Sequence, residues 1–333
     1  MQTFPIILTG DRPTGPLHLG HLVGSLQKRV ELQDSHRQFI LIADLQALTD
    51  HADEPQKIRA NIHEVLLDYL AVGIDPDIST ICLQSQIPAL SELTMYLMNL
   101  VSVARVARNP TVKTEISQKG MGQQVPVGFF SYPVSQAADI SAFQADLVPV
   151  GDDQLPMVEL CRELVKRFNR TYGQTLNLPE AMLSKVSRLP GTDGQAKMGK
   201  SLGNAIFLQD DEALLRKKVM KMYTDPDHIR VSDPGKVEGN PVFTYLDAFA
   251  PDLQKVRELK AHYQKGGLGD VVLKKYLFSI LTETLAPIRK RRVYYAQDRA
   301  YLDEILQKGT EKARQHVAKT MDAVRAALEL LVL

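Results

Sequence analysis

The chain has 333 residues, of which 44% are hydrophobic and 24% carry a charged side chain. This length and balance are typical of one large folded domain or two modest ones, and they exclude an intrinsically disordered chain. A formal net charge of +1 excludes a strong overall positive field of the kind that attracts nucleic acids.

Neither the cysteines nor the first residues indicate secretion or membrane insertion. Cys82 and Cys161 are the two cysteines, which excludes a disulfide framework and a cysteine-based zinc site and suits a reducing compartment. The apolar run at 6–8 follows no basic segment and is too short for a signal peptide. No apolar stretch approaches the roughly 18 residues that a membrane span needs. We therefore expect a cytoplasmic protein with no membrane partner.

The first half of the chain alternates short apolar runs with longer amphipathic stretches. Continuous apolar runs, typical of strands covered on both faces, occur at 5–9, 39–43, 80–83 and 147–150. Apolar residues at helical spacing predict helices over 20–33, 58–70 and 155–168. Strands that alternate with helices imply parallel pairing with right-handed crossovers. We therefore expect an α/β fold with a doubly wound, Rossmann-like parallel sheet.

The second half of the chain reads as helical. Helices are predicted over 213–222, 252–263, 270–285 and 301–331. Residues 202–333 contain 22 Lys and Arg against 18 Asp and Glu, so the weak positive charge of the chain lies in this half.

The segment Gly15-Pro16-Leu17-His18-Leu19-Gly20-His21 stands between the first predicted strand and the first predicted helix. A helix start presents free N–H groups and the positive end of the helix dipole, and both favour anionic phosphates. His18 and His21 lie on one side of the first turn, where their ring nitrogens could donate to phosphate oxygens. Gly20 has no side chain, so a flat base could lie against the backbone there. Taken alone, the pattern also fits a helix cap with two surface histidines.

A second segment is punctuated by glycine and carries two lysines three residues apart, in Gln195-Ala196-Lys197-Met198-Gly199-Lys200-Ser201-Leu202-Gly203-Asn204. A lysine ammonium is a mobile point charge, and two of them on a loop can close over a triphosphate. An ordinary solvated basic loop is the alternative for this segment.

Three polar residues of a third segment, 130–140, predict a binding face on a helix. Tyr132, Gln136 and Asp139 stand at positions i, i+4 and i+7, which places them on one helix face. A buried carboxylate is costly unless a donor satisfies it. A carboxylate only accepts hydrogen bonds, so it matches an N–H group that only donates. The alternative is that Asp139 takes part in a core salt bridge or caps a neighbouring turn.

The first two segments together resemble the signature motifs of class I aminoacyl-tRNA synthetases. The third segment, with Gly151-Asp152-Asp153-Gln154 behind it, resembles the bacterial tryptophanyl members of that family, and the resemblance covers nearly the whole chain. It implies an ATP-dependent, AMP-forming ligase that makes tryptophanyl-adenylate and transfers the acyl group to tRNA(Trp). It implies a catalytic domain over 1–205 with an inserted helical segment at about 85–140 that forms a homodimer interface. It also implies a helical anticodon-binding domain over 206–333, with the last helix packed back on the core.

The same resemblance implies roles for individual residues. The catalytic residues, through contact with the ATP phosphates, would be His18, His21, Lys197 and Lys200. Further ATP contacts would come from Arg12, Pro13, Thr14, Gly20, Gly151, Asp152, Asp153, Leu189, Met198, Gly199 and Ser201. Tryptophan would be bound by Asp139, Tyr132, Gln136, Gln154, Val148, Val150 and Leu8. Asp139 would accept the indole N–H. No protein-bound metal is expected, because Mg²⁺ would arrive on ATP.

Some positions depart from the family pattern, and the substrate and activity stay open at this point. Gly199 stands where the family usually has serine. Arg12 and the Asp44-Leu45-Gln46 stretch stand where the better-known tryptophanyl members have a glutamine and a histidine. Tyrosyl-tRNA synthetases share the Tyr-x-x-x-Gln-x-x-Asp spacing, so a carboxylate alone does not separate phenol from indole. The sequence is also compatible with a weakly active paralogue that has a regulatory binding role, or with a small-molecule adenylyltransferase.

The densest basic cluster is Arg289-Lys290-Arg291-Arg292, with Tyr294 beside it. Phosphate contacts and stacking on exposed aromatic rings are the usual elements of RNA recognition. We therefore expect the tRNA anticodon to bind here, with a solvated helix face as the alternative interpretation.

Overall fold

The computed structural model describes residues 4–183, 189–194, 198–199 and 202–331. Within these ranges, five strands form one parallel sheet in the order β3-β2-β1-β4-β5. The strands are β1 (Ile6–Asp11), β2 (Arg37–Ile42), β3 (Thr80–Leu83), β4 (Leu147–Val150) and β5 (Glu180–Leu183). The predicted doubly wound sheet and its first four strands are confirmed. The sequence does not predict β5, because none of its residues is fully buried and it lacks a continuous apolar run.

Helices follow the strands in the expected alternation. The first, α1, has an α-helical start (Leu19–His21), a π-helical middle (Leu22–Leu26) and an α-helical end (Gln27–Leu32). The other helices before β5 are α2 (Asp44–Leu48), α3 (Pro55–Val72), α4 (Ala89–Met98), α5 (Val103–Ala107), α6 (Pro110–Gln118), α7 (Val127–Ala142) and α8 (Leu155–Tyr172). Those after β5 are α9 (Glu212–Met220), α10 (Pro241–Phe249), α11 (Leu253–Lys265), α12 (Asp270–Ala296) and α13 (Arg299–Ala327). In the described part of the chain, no helix has the length and apolar character of a membrane span.

Side chains of the central strands alternate between two apolar cores. Ile40 and Ile42 of β2 pack with residues of α1, α3 and α12 on one face of the sheet. Phe39 and Leu41 of the same strand pack with residues of α7, α8 and α13 on the other. The helix after β1, α1, therefore packs on one face of the sheet, and the helix after β4, α8, packs on the other. The strands β1 and β4 are nevertheless neighbours in the sheet. In doubly wound sheets, ligands bind in the crevice at the carboxyl ends of such a strand pair.

The last helix, α13, covers the edge strand β3. Thr310 Oγ1 accepts the N–H of Leu83 at 3.0 Å, which satisfies a backbone group at the sheet edge. Gly309 permits this close approach, because a Cβ built there would lie 1.9 Å from the carbonyl oxygen of Ile81. Helix and strand backbones meet directly, and glycine is the residue that fits between them.

Gly309→Ala is expected to destabilise the fold, because the added methyl group meets backbone rather than a flexible side chain. Overpacking of this kind costs about 1–3 kcal/mol in free energy of unfolding, so the melting temperature should fall. Gly24→Ala is the matched helical control, since outside its chain neighbours and its own helix backbone no atom lies within 4 Å of a Cβ built at Gly24. Alanine there should leave the stability equal or slightly higher. Equal melting temperatures of the two variants would contradict the packing interpretation.

Of the basic cluster Arg289-Lys290-Arg291-Arg292, only Lys290 is exposed. The interpretation of the cluster as a solvated helix face is therefore wrong for its three arginines. Arg289 and Arg291 donate to main-chain carbonyl oxygens. Arg292 is 9% exposed and pairs with acidic side chains of α3. The exposed cation and the exposed ring at this end of α12 are Lys290 and Tyr294.

Candidate active site

The loop after β1 forms one wall of the crevice. Arg12 donates to Asp50 Oδ2 at 2.5 Å, and the Lys119 ammonium lies 3.2 Å from the same oxygen. The Asp50 side chain is only 5% exposed, so it anchors both cations. Pro13 is buried and Thr14 is half-buried. The predicted ATP residues of this loop therefore stand beside the histidine segment, with Arg12 tied to an acid that the sequence pattern does not reveal.

The two predicted phosphate-binding histidines lie together at the start of α1, with their ring centroids 3.9 Å apart. His18 Nδ1 accepts the N–H of Gly20 at 3.1 Å, and His21 Nδ1 accepts the N–H of His18 at 3.2 Å. A neutral imidazole that accepts at Nδ1 carries its proton at Nε2. Both rings therefore carry an Nε2–H donor, and two donors on one helical turn can bind two phosphate oxygens.

Met198 of the lysine segment (residues 195–204) lies against the histidine segment (residues 15–21) at Gly20. A Cβ built at Gly20 would lie 2.9 Å from His18 Cε1 and 3.7 Å from the sulfur of Met198. Met198 is buried in the same core cluster as Leu189, which is 1% exposed. A contact from Leu189 to adenine would therefore come from its backbone. Two motifs that are far apart along the chain thus meet at one place.

Part of the lysine segment lies within the described ranges. The Gly199 N–H donates to Asn204 Oδ1 at 3.0 Å. A Cβ built at Gly199 would lie 3.0 Å from a methyl carbon of Leu202, whose side chain is exposed and free to rotate. The serine that the family usually has at this position would therefore fit. Three predicted site residues lie outside the described residues: Lys197, Lys200 and Ser201.

The segment after β4 forms the opposite wall of the crevice. Gly151 is half-buried, and Asp152 and Asp153 are exposed. Thr111 Oγ1 donates to the carbonyl oxygen of Asp153 at 2.8 Å, which ties the segment to α6. Gln154 is half-buried, and its Nε2 lies 3.4 Å from Asp153 Oδ2. Because β4 lies next to β1, these residues and the histidine segment stand at the same edge of the sheet.

Asp139 is a buried acid on helix α7, with 3% of the residue exposed. Burial raises its pKa to about 7, although a hydrogen bond from Gln84 favours the charged form. Asp139 Oδ2 accepts an amide N–H from Gln46 at 2.9 Å and another from Gln84 at 2.8 Å. Asp139 Oδ1 is buried and has no hydrogen-bond partner among the described residues. Among the described residues, amides and no cation bond to the carboxylate, which contradicts the core salt-bridge alternative. A buried oxygen without a partner is costly until a donor reaches it.

Gln46 and Gln84 contact Asp139, and the sequence predictions give neither of them a role in the site. Gln46 lies on α2, just after β2, and Gln84 directly follows β3. Gln84 Oε1 accepts the main-chain N–H of Gln46 at 3.1 Å, which orients the Gln84 amide so that its nitrogen reaches Asp139. A polar residue within four positions of the carboxyl end of a buried parallel strand is the signal that would find both.

Two further predicted tryptophan contacts share helix α7 with Asp139. The Tyr132 hydroxyl donates to Glu115 Oε2 at 2.9 Å. Burial, with the charge of Glu115, raises the pKa of Tyr132 well above its usual range, so the phenol stays protonated. Its proton is directed to Glu115, and the phenol oxygen keeps acceptor capacity for a cation. Gln136 is half-buried on the same helix.

Three apolar residues predicted to contact tryptophan lie on the strands beside α7: Leu8, Val148 and Val150. Leu8 and Val148 are buried in the core cluster that includes apolar residues of α7, and Val150 packs against that cluster. Together they place apolar surface next to the helix that carries Asp139, as an aromatic ligand requires.

The family model for class I tRNA synthetases of tryptophan and tyrosine matches residues 2–286 of this chain. The chain is 59% identical to a tryptophan–tRNA ligase of Streptococcus pyogenes, with 98% of each chain covered. It is 58% identical to that of Streptococcus pneumoniae, with 99% of each chain covered. Its fold is similar to the crystal structure of tryptophanyl-tRNA synthetase from Campylobacter jejuni complexed with ADP and tryptophan. That likeness has a TM-score of 0.84 at 31% identity and covers 98% of this chain and 100% of the other.

Proposed function

This chain belongs to the tryptophan–tRNA ligases of the class I tRNA synthetase family, and we propose that the crevice at the carboxyl ends of β1 and β4 is its active site. The chain is an ATP-dependent ligase that activates L-tryptophan as tryptophanyl-adenylate and transfers the acyl group to tRNA(Trp). In the first step the tryptophan carboxylate attacks the α-phosphorus of ATP and pyrophosphate leaves. No side-chain nucleophile is required, so positioning and charge stabilisation supply the catalysis.

The unpaired Oδ1 of Asp139 is the observation that carries the tryptophan subsite. An indole N–H only donates, and this oxygen only accepts while the carboxyl group is ionised. Because Gln46 and Gln84 occupy Oδ2, an incoming donor meets Oδ1. On this proposal the Tyr132 oxygen binds the ammonium group of tryptophan, together with Gln136 or Gln154.

The nucleotide subsite is proposed to lie at the start of α1 and along the segment after β4. The Nε2–H groups of His18 and His21 would donate to phosphate oxygens, and Lys197 and Lys200 would follow the departing pyrophosphate. Asp152, with its neighbour Asp153, would contact the ribose. The substrate is proposed to be the magnesium complex of ATP. Within the described residues, no group of three or more His, Cys, Asp or Glu side chains is arranged to hold a metal ion of its own.

Tryptophan-dependent exchange of pyrophosphate into ATP tests the proposed reaction directly. Exchange with tryptophan and none with tyrosine, under the same conditions, is the expected result. Exchange that depends on tyrosine instead would overturn the tryptophan subsite, and no exchange with either amino acid would overturn the reaction.

Lys200→Ala is expected to lower the rate of pyrophosphate exchange about tenfold, because one of two ammonium groups that stabilise the leaving phosphates is lost. The affinity for tryptophan should stay unchanged, since that subsite is built from other segments. Lys166→Ala, at an exposed lysine of α8, is the control for loss of charge. A Lys200→Ala enzyme with the wild-type exchange rate would show that the lysine segment does not act on ATP.

Residues 206–333 are proposed to bind the anticodon region of tRNA(Trp), in the cytoplasm where translation takes place. The exposed Lys290 and Tyr294 on α12 support this proposal, since a cation and an exposed ring suit phosphates and unstacked bases.

A homodimer is proposed through the segment 85–140, where exposed apolar side chains suit a partner surface: Met95, Val103 and Val127. The solution mass of the chain tests the dimer, and the salt dependence of tRNA binding by Lys290→Ala tests the tRNA contact.

A further inference from the structure

A buried arginine of α12 is bonded to two other parts of the fold at once. Arg292 is 9% exposed, and it ion-pairs with Glu64 and Asp68 of α3. Its guanidinium also donates to the carbonyl oxygen of Glu64 at 3.1 Å and to Gln209 Oε1 at 2.9 Å. A planar guanidinium with several donors fixes the relative positions of its acceptors.

The ion pair with Asp68 links Arg292 to the histidine segment. Asp68 is 0% exposed, and while its Oδ1 pairs with Arg292, its Oδ2 accepts the N–H of Leu17 at 2.7 Å. Leu17 directly precedes His18. The carboxylate of Asp68 therefore connects Arg292 to the backbone that positions the first histidine.

The bond to Gln209 continues to the stretch 206–208, which follows the lysine segment in the chain. Just before Gln209, the N–H of Leu208 donates to the carbonyl oxygen of Leu17 at 3.0 Å, and the carbonyl oxygen of Ile206 accepts the N–H of Leu19 at 2.9 Å. The strand-like stretch 206–208 thus lies beside the histidine segment. The lysine segment precedes this stretch in the chain. Arg292 is therefore linked to the histidine segment through Asp68 and to the stretch 206–208 through Gln209.

We propose that Arg292 is a positioning residue for adenylate formation, which sets the spacing between the histidine segment and the stretch 206–208 that follows the lysine segment in the chain. A buried ion pair adds little net stability, because the cost of burying the charges offsets their attraction. The directed bonds of the Arg292 guanidinium do fix the relative positions of the groups that accept them. Small displacements of groups that bind the reacting phosphates lower the rate. The inference rests on the proposed function. It adds that helix α12, from the half of the chain proposed to bind tRNA, takes part in forming the ATP subsite.

Two substitutions separate positioning from folding. Arg292→Lys keeps one positive charge but cannot hold all the acceptors together, so we expect about a tenfold lower kcat for pyrophosphate exchange and a higher KM for ATP. Gln209→Ala removes only the exposed end of the connection and leaves both ion pairs in place, so we expect a smaller loss in the same direction. The KM for tryptophan should stay unchanged in both. Lys275→Gln, at an exposed position of the same helix, is the control and should match the wild type.

Wild-type kcat and ATP KM in both Arg292→Lys and Gln209→Ala would overturn the proposal. So would equal losses for ATP and tryptophan that follow a fall in melting temperature, since these would show a role in folding only. Absence of exchange in the wild-type enzyme would instead refute the proposed function, so the two failures are distinguishable.

Discussion

Asp139→Asn is expected to weaken tryptophan binding by about 10–100-fold, equivalent to about 1.5–3 kcal/mol for a hydrogen bond to a charged group. The orientation of the new amide follows from its neighbours. Gln46 and Gln84 both donate to the Oδ2 position, so the asparagine carbonyl oxygen should take that place. Its NH₂ group then occupies the Oδ1 position, where a donor faces the donor of indole.

The affinity can be measured from the fluorescence of the substrate itself. The chain contains no tryptophan, so the fluorescence of bound tryptophan is measured without an indole signal from the protein. Asp34→Asn, at an exposed position of the first half, is the matched control for the loss of a carboxylate. An analogue with sulfur in place of the indole N–H should bind wild type and Asp139→Asn equally. If Asp139→Asn still preferred tryptophan over that analogue as strongly as wild type does, Asp139 would not be the indole acceptor.

The same carboxyl group predicts a pH dependence of tryptophan binding. Burial raises the pKa of Asp139 to about 7, so the group is ionised above that pH and protonated below it. Because Oδ2 already accepts two amide N–H groups, the added proton goes to Oδ1 and turns it into a donor. Tryptophan affinity should therefore be highest above pH 7 and fall as the pH drops through about 7. Asp139→Asn should lack this transition, whereas a transition caused by the titration of histidines would remain in that variant.

His18→Asn is expected to lower the rate of pyrophosphate exchange by about 10²–10³-fold, the usual cost of losing one preorganised donor to a transition-state oxygen. Asparagine is chosen because its Oδ1 can still accept the N–H of Gly20 and cap α1, as His18 Nδ1 does. What the substitution removes is the Nε2–H donor. Tryptophan affinity should be unchanged, because Asp139 and its amide partners are untouched.

The control for this substitution is His262→Asn, at an exposed histidine on α11. It should exchange pyrophosphate at the wild-type rate. A His18→Asn enzyme that matches the control, with an unchanged melting temperature, would show that the imidazole does not act on the phosphates. Loss of stability together with activity would instead indicate a structural role at the start of α1.

The local pattern of the chain predicts the fold class correctly, and it proposes most residues of the candidate site. Continuous apolar runs predict four strands correctly, because buried parallel strands require that composition over several adjacent residues. His18, Gly20 and His21 lie within one helical turn, and Tyr132, Gln136 and Asp139 share one helix. Side chains that act within a single element can be recognised from their spacing alone.

The tertiary structure decides which distant residues complete those groups. Gln46 and Gln84 reach Asp139 across 93 and 55 positions, so no local spacing shows them. Arg292 belongs by sequence to a basic cluster, yet it is buried against Asp68, 224 positions away. The physical reason is that a long polar side chain is satisfied by whatever donor or acceptor the packed fold places near it. Sequence spacing therefore determines the motifs, and the packing of α2, α3 and α12 determines the residues that hold them in position.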